Sequence, residues 1–208
     1  MRPLARVHAV TDGTVLQLAD LGVRAAAIAA SGSAVALHAR ERAGTAELLA
    51  QAAVRFVSLC RPSQAQVFVS GRPDIARAAD AQGVQLAASD LTPADARLVL
   101  GDGLVGRSVH SAEEAVSARD EGADFVLLGP VFPTLTHPGQ EPLGLEAVNR
   151  AARSGVTTVA IGGITAENAG AVKDAGAWGV AAIRALWLAE DPAAATRALL
   201  APWTEDDE

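Results

Sequence analysis

Val159–Ile183 reads VAIGGITAENAGAVKDAGAWGVAAI. An apolar strand ends in two glycines, a helical stretch starts at Thr165, and a second apolar strand, Gly179–Ile183, follows. Parallel strands joined this way need the crossover helix between them. Gly162 and Gly163 have no Cβ to hold a ligand away, so several amide N–H groups and the positive end of the next helix would converge on one point. In an eight-fold βα barrel the loops after the seventh and eighth strands commonly hold a phosphate together. A tight turn is the plainer use of a glycine pair.

The same alternation runs outward to both ends of the chain. Short β-type runs fall at Arg6–Thr11, Ala34–Ala39, Gln66–Ser70, Val84–Ala87, Leu104–Val109, Phe125–Gly129, Thr157–Ile161 and Gly179–Ile183. Helical stretches separate them at Thr45–Leu59, Pro73–Ala81, Thr92–Leu98, Ala112–Glu121, Leu145–Ser154 and Thr165–Ala175, several with polar starts and glycine ends. Ser111-Ala-Glu-Glu is close to a capping pattern. Within Thr14–Ala30 the AAAIAA run fits a helix or a buried strand, so the first helix is less clearly bounded. Eight such units in this length predict an α/β fold, a closed (βα)8 TIM barrel in a single domain over 1–208, with the acidic end from about 203 to 208 frayed. An open doubly wound sheet would place its glycine-rich phosphate turn after the first strand, where this chain has TDGTV.

Half of the residues are apolar, enough for a core without disulfides or metal. The net charge of −7 and an aromatic content of 3% argue against nucleic acid, which wants focused positive charge and stacking platforms. No leader pattern or bilayer-length apolar run is present, which predicts a cytoplasmic protein with no membrane partner. The single cysteine, Cys60, lies in the apolar run AVRFVSLC and reads as a small hydrophobe rather than a nucleophile.

Polar residues collect at the C-terminal ends of the strands, the end that carries active sites in such barrels. His8, His38, His110 and His137 all fall at or just beyond a strand's C-terminal half, with no HxH, HExxH or CxxC spacing that would mark a metal site. Arg40 and Arg42 flank Glu41 after the second strand and suit an anion; a solvated position is the simpler account of either. Thr134 and Thr136, between Pro133 and Pro138, offer hydroxyls on the same rim or cap their loop.

The segments RVHAVTD, HARER, SGRPDIA, GVQLAASDL, VGRSVHSAEEAVSARDEGADFVLLGPVFPT and VAIGGITAENAGAVKDAGAWGVA resemble the thiamine phosphate synthase/TenI superfamily over nearly the whole chain. The resemblance implies a (βα)8 barrel of thiamine biosynthesis that binds a small-molecule thiazole phosphate, and a homodimer. It implies a thiazole-phosphate site of Thr134, Thr136, Gly162, Gly163, Ile183 and Arg184, where arginine replaces the usual serine. Arg40, Arg42, Ser70, Ser108 and His110 are the second-substrate or pocket residues.

Two activities are implied. The synthase branch joins the thiazole to a pyrimidine methyl pyrophosphate with Mg2+, releasing pyrophosphate; the TenI branch is a tautomerase that needs no cofactor. The synthase pattern matches poorly: Ser70 and Gly71 stand where that branch has Asn-Asp, leaving Asp90 as the one matching metal ligand, and His137 stands for its lysine. HARER, SGR and GRSVHS are TenI-like, and favour the tautomerase. The histidine typical of that branch falls at Pro130, so His137 or His38 would move the proton, with a pKa suited to work near neutrality. A non-catalytic phosphate-binding relative is the third reading.

Overall fold

Strands buried on both faces read as continuous apolar runs rather than alternating ones. The runs picked out above form eight parallel strands, each followed by a helix. The computed structural model describes residues 3–41, 43–135 and 139–204. In chain order the elements are β1 (Val7–Val10), α1 (Gly13–Leu16), α2 (Leu21–Ala29), β2 (Val35–Ala39), α3 (Ala46–Cys60), β3 (Gln66–Ser70), α4 (Pro73–Ala78) and β4 (Gly83–Leu86). There follow α5 (Pro93–Leu100), β5 (Leu104–Val109), α6 (Ala112–Asp120), β6 (Phe125–Leu128), α7 (Gly144–Arg153), β7 (Thr158–Ile161), α8 (Ala166–Asp174), β8 (Gly179–Ala182), α9 (Arg184–Trp187) and α10 (Pro192–Thr204). Each strand pairs with the next, and β8 pairs with β1 to close the barrel.

Strand register sorts the side chains. One set, including Val7, Leu37, Val67, Val84, Val105 and Leu128, packs outward under the helices. The other fills the barrel: Val10, Ala36, Phe68, Leu104, Phe125, Leu127, Val159 and Ala181 form a separate inner cluster. Because alternate residues share a face, His8, His38, Ser70, Gln85 and Ser108 belong to this inner set as well. Phe68 and Phe125 meet edge-on, 5.4 Å between centroids. Glycine makes room for them: a Cβ on Gly83 would lie 2.5 Å from the Phe68 ring, and one on Gly106 would lie 2.4 Å from the Phe125 ring.

The N-terminal segment is tied across the lower end. Gln66 on β3 donates to the Pro3 carbonyl at 2.7 Å and accepts from the Ala5 amide at 3.1 Å. The Arg6 guanidinium lies 3.6 Å over the Trp178 ring, and the Trp178 indole N–H donates to the Leu4 carbonyl. At the other terminus α10 runs through Trp203 and Thr204, with Trp203 buried, so those two residues are helical where fraying was expected. The AAAIAA ambiguity resolves as the helix α2, preceded by the single turn α1. Cys60 is buried at the end of α3, and burial pushes its thiol up to about 12, in line with a packing role. No helix among the described residues is long and apolar enough to cross a membrane.

Candidate active site

Short loops at the C-terminal ends of the strands leave a cavity of about 830 Å³ above the phenylalanine plug. From β2 it receives His38 and Arg40; from β3, Ser70 and Gly71; from β4 and its loop, Gln85 and Asp90. From β5 come Ser108 and His110, from the loop after β6 Pro130 and Thr134, and from the last two strand ends Gly162, Gly163, Ile183 and Arg184. Every sequence-predicted site residue that the structure describes therefore lines one hollow. Arg42, Thr136 and His137 lie outside the described residues.

The glycine pair is shaped by the loop that crosses it. Gly162 and Gly163 have φ of +97° and +66°. A Cβ on Gly162 would lie 2.6 Å from Pro130 Cα, and one on Gly163 would lie 2.6 Å from the Pro133 carbonyl oxygen. The loop after β6 is laced down onto this turn by Val131 N–H to the Ile161 carbonyl and Phe132 N–H to the Gly162 carbonyl. Thr134 is thereby carried to the cavity, and the turn reading of the glycines holds for the backbone. At the start of α8, Asn168 Oδ1 accepts the Thr165 amide at 2.9 Å in a capping box, and the Asn168 side chain donates to the Gly163 carbonyl, tying the helix start to the glycine turn. The short helix α9, beginning at the cavity residue Arg184, occupies the place where barrels of this kind add a phosphate-facing helix.

One expectation about the histidines is corrected. His8 is not on the rim. It sits fully buried in mid-β1, 3.1 Å from the Ala5 carbonyl through Nε2 and 2.8 Å from His38 Nε2 through Nδ1. Burial lowers its pKa to about 4, against the pull of the Ala5 carbonyl. His38 is also fully buried, stacked on Phe68 at 4.9 Å. Desolvation, then the charges of His8 and Arg40, hold its pKa well below the usual histidine value, so it is not the near-neutral imidazole expected from sequence. His110 is placed by its backbone and its ring. Its amide donates to Glu114 Oε2 at 2.7 Å, and its Nδ1–H donates to the Gly129 carbonyl at 2.6 Å, which leaves Nε2 as an acceptor.

Sequence reasoning missed two contributors, Thr11 and Gln85, and named Glu41 only as the residue between Arg40 and Arg42. Thr11 holds the Arg40 segment: its hydroxyl donates toward the His38 and Arg40 carbonyls and accepts the Arg40 amide at 2.8 Å. Gln85 donates to Ser108 Oγ at 3.1 Å. Glu41 lines the cavity and accepts the Ala43 amide. Only inward register on neighbouring strands could have marked Gln85, and that needs the barrel. Asp90 accepts the Ala87 amide at 2.7 Å and stands against Gly71, where a Cβ would be 3.2 Å from its Oδ2. Among the described residues no three His, Cys, Asp or Glu side chains come together to hold a metal ion.

Comparison with known proteins gives a consistent picture. Residues 7–186 match the family described as thiamine monophosphate synthase. A thiamine-phosphate synthase of Chlorobium luteolum is 40% identical over 173 residues, 82% of each chain. One from Chloroflexus aurantiacus is 38% identical over 200 residues, 94% of this chain and 91% of the relative. The solved thiamine phosphate pyrophosphorylase of Pyrococcus furiosus has a TM-score of 0.82 and 31% identity, over 96% of both chains.

Proposed function

This chain belongs to the thiamine monophosphate synthase family, and from that premise we propose that its cavity joins a thiazole phosphate to a pyrimidine methyl pyrophosphate in thiamine biosynthesis. The relatives carry this name, and they move the weight from the tautomerase favoured by local motifs to the synthase. The observation that carries the reading is that two separate sets of groups able to meet an anion line one rim. Gly162, Gly163 and Arg184 sit at the ends of β7 and β8, and Arg40 sits at the end of β2. A cavity near the top of the usual range for small-molecule sites suits two substrates better than one.

In this reading the glycine turn and the Ile183–Arg184 segment hold the thiazole phosphate with backbone amides and a guanidinium. Arg40, held by Thr11, faces the leaving pyrophosphate and offsets the charge that grows on it as the carbon–oxygen bond breaks and the thiazole nitrogen bonds to the methylene carbon. Magnesium, when bound, would add to that neutralisation. The donor set fits it in a limited way: Asp90 is the carboxylate that would hold it, with Gly71 beside it supplying no side-chain oxygen, so most ligands would be substrate phosphate oxygens and water.

Purified protein given both substrates is expected to form thiamine phosphate, and to stop when magnesium is chelated. No product at high magnesium with both substrates present would reject the proposal. The tautomerase remains a second reading because His38 and His110 both line the cavity with an acceptor nitrogen. Turnover of the thiazole carboxylate phosphate alone, without magnesium, would favour it instead.

A further inference from the structure

A carbonyl oxygen can only accept, and this one fact orders the protons along a buried chain. The Ala5 carbonyl receives the His8 Nε2–H, so in neutral His8 the other nitrogen, Nδ1, carries a lone pair. That lone pair stands 2.8 Å from His38 Nε2, which must then be the protonated nitrogen of His38. His38 Nδ1 is left bare. It is shielded from water and has no hydrogen-bond partner among the described residues, while His38 itself lines the cavity.

We propose that His8 is a positioning residue that fixes the tautomer of His38, so that this side chain, buried beneath the cavity, keeps its proton on Nε2 and a bare lone pair at Nδ1. The other tautomer would bury an N–H at Nδ1 with nothing to receive it, the more costly arrangement. The groups around the pair favour the neutral state. Phe68 and Phe125 pack against His8, Phe68 stacks on His38, and the facing charge is the cationic Arg40. The source of the ordering is held firmly, because Gln66 clamps the Ala5 segment from β3. Ser70 Oγ on β3 and Gln85 Oε1 on β4 are likewise buried without a partner among the described residues.

The tautomer can be read without any activity. Long-range proton–nitrogen correlation spectra of the full chain with labelled histidine, assigned by single substitutions, report which ring nitrogen carries the proton. His8 and His38 are both expected with the proton on Nε2 near neutral pH. A His38 protonated on Nδ1, or exchanging between tautomers, overturns the proposal. His8→Gln can donate to Ala5 and accept from His38, and is expected to keep the pattern; His8→Leu is expected to lose it. If His8→Leu does not fold, the wild-type spectrum and His8→Gln still decide. The kinetic arm alone rests on the proposed synthase function: kcat/KM falls roughly tenfold in His8→Leu and recovers in His8→Gln. An inactive wild type would reject that function while leaving the spectra intact, and an active His8→Leu with unchanged kcat/KM would reject the positioning role.

Discussion

At Gly163 two separate costs of a side chain coincide, and a control elsewhere in the barrel separates them. Both Gly163 and Gly155 have positive φ, +66° and +76°, a conformation that strains any residue with a Cβ. A Cβ on Gly155 meets nothing within 4 Å, whereas one on Gly163 runs into the Pro133 carbonyl and Phe132. Gly155→Ala is expected to cost about 1 kcal/mol of stability in urea denaturation, from backbone strain alone. Gly163→Ala is expected to cost about 2–4 kcal/mol, because the loop after β6 must also move, and to weaken thiazole phosphate binding. Equal losses at the two sites would mean that the loop gives way freely.

At the scale of elements, caps set where active-site side chains begin. Ser111 accepts the Glu114 amide to start α6, and Glu114 in turn accepts the His110 amide, one residue earlier than a capping box requires. The helix start thus places a cavity histidine. Ser111→Ala is expected to lose about 1 kcal/mol by chemical denaturation, with the loss confined to α6 in hydrogen exchange. The stretch Ser111–Glu114 announced this cap in the sequence. By contrast, the capping box of α8, Thr165 with Asn168, lies just after two glycines in a stretch whose sequence reads as an open helix start. Helix α9, which begins at the cavity residue Arg184, is a single turn too short to show a helical period.

For the whole molecule, two uncharged imidazoles inside the barrel tie stability to pH. Above about 6.5 His8 is neutral in both the folded and unfolded chain and contributes no pH dependence. As pH falls from there toward about 4, the unfolded chain binds a proton that the native one does not, and stability drops by about 1.4 kcal/mol per pH unit for His8. His38, which burial also holds well below the usual histidine value, adds a loss of the same sign. Denaturation midpoints at about pH 7 and about pH 5 test this, and equal stability at the two would show that the native pair takes up protons as readily as the unfolded chain.

The sequence by itself determined the architecture and the rim. Eight apolar runs at regular spacing can bury both faces of a parallel sheet in few other ways, and strand ends carry the loop residues to one side whatever the side-chain detail. That is why Arg40, Thr134, Gly162, Gly163 and Arg184 were legible as neighbours though far apart in the chain. The tertiary structure alone decided depth and direction. His8 and His38 both looked like rim histidines, yet register puts His8 opposite Ala36 and His38 opposite Val10, one step higher in the barrel. Their proton order hangs on the Ala5 carbonyl, held by Gln66 from a strand sixty-one residues away in the chain. Periodicity says which residues share a face; only closure of the barrel says what each one meets there, and that contact fixes charge and tautomer.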